Sequence, residues 1–124
     1  MSIDVIVPDS ARQTYENWHF APAVRHGDLI FCSGVIGQGE TTEEEFRSAW
    51  QSLGETLAEA GVGYEDIVDS TLYIVDLQQN AATMAKVKDE FIKAPYPAST
   101  WIGISELVIP GTRAEIKVTA RIPA

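Results

Sequence analysis

A chain of 124 residues, 45% hydrophobic and 22% charged, suffices for one ordinary globular domain, expected to span 1–124. Its formal net charge of −9 and its scattered Lys and Arg offer no cationic stripe to displace the counterions of a nucleic acid, so no nucleic-acid partner is expected. A single cysteine, Cys32, excludes an internal disulfide framework and a cysteine-rich zinc site.

Residues 22–36, PAVRHGDLIFCSGVI, read as two strands joined by a turn at His26-Gly27-Asp28. The run Leu29–Cys32 is apolar at every position, which predicts a strand buried on both faces. GQGETTEEEF then turns the chain. Thr41 or Thr42 can cap the next helix, and Glu43, Glu44 and Glu45 fall at its positive end as a solvated start.

Phe46, Ala49, Trp50, Leu53, Leu57 and Ala60 recur at helical spacing, and Gly61 and Gly63 end the helix. IVDSTLYIVDL (67–77) is rich in β-branched residues and predicts a strand. A second helix is expected from about Ala81 to Lys93, with Met84, Val87 and Phe91 inward and Pro95 and Pro97 as its stop. The last strands fall at roughly 99–105 and 113–122. In the final one Ala114, Ile116, Val118, Ala120 and Ile122 face one way, and Arg113, Glu115, Lys117, Thr119 and Arg121 the other.

The sum is an α+β arrangement, a sheet of about six strands with two helices on one face. Two helices cannot cover both faces. The bare face carries Trp101, or its neighbours Thr100 and Ile102, with part of 67–77, and is expected to be buried by other copies of the chain. The N-terminal stretch has no basic segment followed by an apolar one, and no apolar run approaches the ~20 residues of a membrane span. No membrane partner is expected, and the expected compartment is the cytoplasm.

Few residues suggest chemistry by themselves. Cys32 lies in the most apolar strand and reads as a small core residue rather than a nucleophile. His19 and His26 lack the companions a zinc site needs, so no metal is expected. Ser33 sits in CSGVIG, which is not the G-x-S-x-G of a nucleophile elbow. Gly34, Gly37 and Gly39 are followed by no Lys-Ser/Thr, as a phosphate loop would require. Glu115 is harder to set aside. It stands on the polar side of a central strand, flanked by Arg113 and Lys117, and reads either as part of an ion-pair ladder or as a carboxylate facing a cleft.

Four segments in order resemble the RidA/YjgF family of reactive-intermediate deaminases: AVRHGDLIFCSGVIG, LAEAGVGYEDIVDSTLYIVDL, YPAST and AEIKVTA. The resemblance covers nearly the whole chain. It implies a chorismate-mutase-like α+β fold and a homotrimer, in which three sheets close a barrel and small-molecule clefts lie between subunits. Active members hydrolyse enamines and imines to 2-keto acids without metal or organic cofactor. An arginine clamps the substrate carboxylate and a glutamate on the last strand positions water. By the resemblance Glu115, Ser33 and Gly34 match the family's site.

Other positions depart from it. Ser99 stands where the family has the clamp arginine, Phe20 where it has a tyrosine, and Ala85 near a common asparagine. Trp101 takes a place usually held by a smaller residue, beside Thr100. A guanidinium grips a carboxylate with two charge-assisted bonds, whereas a serine offers one neutral hydroxyl. The expected protein is therefore RidA-like and binds a small metabolite, with any hydrolysis directed at an imine or enamine other than a simple amino-acid imine. Two alternatives stand beside it. One is a generic imine deaminase whose substitute cation is Arg25, Arg113 or Lys117. The other is a non-enzymatic oligomeric scaffold.

Overall fold

The computed structural model describes residues 3–124. Six strands alternate with three helices: β1 (Asp4–Ile6), α1 (Arg12–Trp18), β2 (Ala23–His26), β3 (Leu29–Cys32), α2 (Thr42–Glu59), β4 (Ile67–Val75), α3 (Leu77–Lys88), β5 (Ala98–Ile104) and β6 (Ala114–Arg121). They form one sheet in the order β1-β2-β3-β6-β4-β5. Among the described residues only β4 and β5 run parallel, and α3 makes the crossover that parallel neighbours require. The chain's last strand, β6, is inserted between β3 and β4.

The long helix forms as its sequence predicts. Thr41 Oγ1 accepts from the Glu44 N–H at 3.1 Å, a cap of the kind that contributes about 1 kcal/mol. The other end stops at Gly61, whose φ of +80° suits a residue without a Cβ. Phe46, Ala49, Trp50, Leu53 and Leu57 of α2 and Met84 and Val87 of α3 are buried against Ile30, Leu72, Ile74, Ile116 and Val118 of the sheet. Phe91 stacks on Trp50 at 6.0 Å between ring centroids.

Four sequence expectations change. First, β1 and α1 were not foreseen. Helix α1 buries none of its residues, so it carries no apolar stripe for periodicity to detect. Second, α3 begins at Leu77 and ends at Lys88, earlier than expected at both ends. The break comes at Asp76, whose φ of 52° ends the strand, and Asn80 donates from its amide to the Val75 carbonyl at 2.8 Å. After Lys88 the chain tightens into turns, with the Glu90 N–H on the Val87 carbonyl and the Phe91 N–H on the Lys88 carbonyl. Pro95 and Pro97 thus lie beyond the stop. Third, β3 is not buried on both faces within one chain, since Leu29 and Phe31 are 38% and 42% exposed. Fourth, Glu45 is no solvated helix-start residue but is 4% exposed.

The helices leave one sheet face open. Ladder rows on that face include Val5–Val24–Phe31–Thr119, Lys117–Thr71–Thr100 and Glu115–Tyr73–Ile102. Thr100 and Ile102, rather than Trp101, occupy it. No helix among the described residues is long and apolar enough to cross a membrane.

Candidate functional site

The site begins where β3 runs out. The Ser33 N–H donates to the Pro22 carbonyl at 2.9 Å, and its hydroxyl donates to the Ala21 carbonyl at 2.6 Å. Val35 then exchanges two backbone bonds with Ile116, at 2.8 and 2.9 Å. This bridge holds Gly34 beside Glu115. A Cβ on Gly34 would lie 2.5 Å from both Cδ and Oε1 of Glu115, so the carboxyl group rests in the space a side chain would fill. Gly37 has an equivalent need, because a Cβ there would strike the backbone of Glu45 and Ala49 in α2. Gly34 and Gly37 therefore serve close approach.

Glu115 is partly buried and lines a concave site of about 530 Å³. Trp18 and Phe20 reach the site from the end of α1, Ser33 and Gly34 from the β3 exit, and Val108 and Ile109 from the loop before β6. Glu55 of α2 adds a second carboxylate, whose Oε2 accepts from the Ser10 hydroxyl at 3.0 Å. No Lys, Arg or His lines the site among the described residues. Glu115 has no hydrogen-bond or ion-pair partner among them either.

The three cations offered as substitutes for the clamp are engaged elsewhere. Arg113 donates from Nη1 to Glu45 Oε1 at 3.1 Å, and its backbone N–H donates to Glu45 Oε2 at 2.7 Å. Arg25 Nε donates to the Gly27 carbonyl at 3.0 Å. Lys117 Nζ donates to the Cys32 carbonyl at 3.2 Å. Lys117 alone shares β6's open face with Glu115, two residues away. Burial pushes the Cys32 thiol up to about 11, opposed by the charge of Lys117, so the group stays protonated and is no nucleophile at neutral pH.

Phe20, Ser33, Gly34 and Glu115 thus come together in one concavity. Ser99, Thr100 and Trp101 do not join them within the chain. They lie on β5, with β4 between them and β6. Ser99 pairs with Ser70 and Trp101 with Leu72, both on the helix-covered side. Trp101 Nε1 donates to Ser99 Oγ at 3.1 Å, which ties the two side chains together. Thr100 alternates to the open face. Trp18, Glu55, Val108 and Ile109 were missed by sequence reasoning. They sit in a short helix, on the outer side of a long one and in a loop, where no periodic pattern marks them.

The family model for Endoribonuclease L-PSP matches residues 12–122. The chain belongs to the RidA/YjgF family. A RutC family protein, YjgH of Escherichia coli (strain K12), is 38% identical over 125 residues, covering 95% of this chain and 94% of that one. The solved structure of a protein YjgH superposes with a TM-score of 0.91 at 32% identity, over 100% of this chain and 99% of the other. A human 2-iminobutanoate/2-iminopropanoate deaminase is 26% identical over 109 residues, with 82% of this chain and 78% of that one covered. Rv2704 of Mycobacterium tuberculosis, a YjgF/YER057c/UK114 family member, shares the fold with a TM-score of 0.87 at 22% identity, over 98% and 100% of the two chains. The α+β fold of the RidA/YjgF family, expected from the motifs, is the fold found.

Proposed function

We propose that this RidA/YjgF protein is a cytoplasmic homotrimer that binds a small metabolite in clefts between its subunits, and that simple amino-acid imines are not its substrates. The observation that carries this reading is the concavity at Glu115. Among the described residues it offers a carboxylate without a partner, two aromatic side chains and no cation. A small 2-imino acid would bring its own carboxylate there and find nothing to neutralise it.

The assembly is argued from the open sheet face. Leu29, Phe31 and Ile102 are exposed there, and a second copy is the natural cover. The strands of β5 then approach the Glu115 cleft of a neighbour, which is how Ser99 and Trp101 would belong to the same site as Glu115. Any hydrolysis at the cleft would use Glu115 to orient water against an imine carbon.

Lys117 favours a second reading, a deaminase with a substitute cation. Its ammonium stands on the Glu115 face and, among the described residues, hydrogen-bonds to a neutral carbonyl alone. Keto-acid formation from freshly generated 2-iminobutanoate separates the two. No acceleration is expected. A strong one, lost in Lys117→Ala, would overturn the first reading in favour of the second.

A further inference from the structure

We propose that the Glu115 cleft is built for an organic cation, an ammonium or amidinium group carried on a flat apolar body. The inference rests on reading this concavity as the ligand site and adds the charge and shape of what enters it.

The first argument is the balance of donors and acceptors. Glu115 presents two acceptor oxygens and has no donor among the described residues. Ser33 beside it has already given its proton to the Ala21 carbonyl, so toward the cleft it offers lone pairs. Glu55, also in the lining, is held by the Ser10 hydroxyl, which leaves that hydroxyl too as an acceptor. Thr14, Thr56 and the Gln38 amide also line the site and serve in either role. A ligand group that meets Glu115 and Ser33 must supply the hydrogens, and a charged donor on a carboxylate makes the stronger bond.

The second argument is electrostatic. Two carboxylates share the concavity with no positive side chain among the described residues, in a chain of formal net charge −9. Such a cleft raises the local concentration of cations and repels anions. The third is shape. Trp18 and Phe20 are 57% and 41% exposed, and both line the same cleft as Val108. Aromatic faces attract cations and accept flat rings. Gly34 completes the design, since its missing Cβ is what allows the Glu115 carboxyl to lie against the wall.

The test uses the full-length protein and three probes: tryptamine, benzamidine and indole-3-propionate. The first two are cations with flat bodies, and the third has a related body with a carboxylate. Isothermal titration should show the two cations binding and indole-3-propionate failing to bind at millimolar concentration. Glu115→Gln keeps the shape and removes the charge, and should weaken tryptamine about tenfold or more. Trp18→Ala, at an exposed site that leaves the fold intact, should weaken both cations by a smaller factor. Binding of indole-3-propionate as tight as that of tryptamine would overturn the cation assignment while leaving the cleft as a ligand site. So would tryptamine affinity unchanged in folded Glu115→Gln. Failure of both cations at millimolar concentration would also overturn it. The trimer and the imine reading would then stand or fall by mass and by keto-acid assay, which involve none of these probes.

Discussion

Ser99 and Glu115 look out from opposite faces of the same sheet. Ser70 of β4 is paired on one side with Ser99 and on the other with Val118, and Val118 belongs to the buried, helix-facing set of β6. Glu115, an odd number of residues away on β6, points to the open face and is paired with Tyr73. The two side chains therefore cannot meet inside one chain. If both serve one site, a chain boundary runs through it.

The first prediction follows from that geometry. Light scattering coupled to gel filtration should give three times the 13.6 kDa chain mass at micromolar concentration. Phe31→Glu places a charge on the open face, where the native ring is 42% exposed in a single chain. The variant should run as a folded monomer, because the ring it replaces is 42% exposed in the single chain and further burial would come from the proposed neighbour. A native monomer would remove the inter-subunit cleft altogether.

Ser99 and Trp101 should act as a unit. Ser99→Arg alone removes the acceptor of the Trp101 indole N–H and leaves the ring in place. The single change should yield little 2-iminobutanoate deamination. Combination with Trp101→Cys, which clears the ring, should yield clearly more. Equal, background-level rates for a folded trimeric double variant would mean that residue 99 does not reach the cleft of a neighbour.

Gly34→Ala should separate binding from stability. The new Cβ displaces the end of a flexible glutamate, not backbone, so the melting temperature should fall by only a few degrees. The carboxyl group moves, and tryptamine affinity should fall about tenfold. Unchanged affinity would show that the position of the Glu115 carboxyl is immaterial to binding.

Glu45 should matter for stability instead. It is 4% exposed and receives both the backbone N–H and the guanidinium of Arg113. Glu45→Ala leaves that N–H without its partner and opens space under α2. Urea unfolding should show a loss of about 2–3 kcal/mol, tempered by the partial exposure of Arg113. A change below about 0.5 kcal/mol would mean that water replaces the carboxylate without cost.

Cys32 sets a pH dependence with a definite sign. Burial raises its thiol to about 11 from an ordinary value of 9.0. The protonated form is the one the fold favours. Its contribution is complete below pH 9 and is lost as pH rises through about 11. Stability should therefore decline across that window, by at most about 2–3 kcal/mol from this group. Cys32→Ala should flatten the decline, as urea midpoints at pH 8, 9, 10 and 11 would report. The folded protein should also resist thiol alkylation at pH 8.

Much of this architecture is written in the sequence itself. The stripe from Phe46 to Leu57 and the alternation from Ala114 to Ala120 each have one buried face, and burial on one face is what writes a period into a sequence. The ordered motifs identified the family, because they reach from Ala23 to Ala120 and tolerate shifts at element ends. Segments without a buried face wrote no such period. Helix α1 shows this, and so do Trp18 and Val108, which line the cleft from exposed positions. Pairings between distant residues were equally silent. Glu45 looked like one more acid in a helix's first turn until Arg113, 68 positions later, closed on it. Gly34 and Glu115 became neighbours only because β6 returns between β3 and β4, and Ser99 parted from Glu115 because β4 lies between their strands. Local propensity and period act over a few residues, whereas strand order and strand facing are set by which apolar faces bury one another, and that is a property of the whole packed sheet.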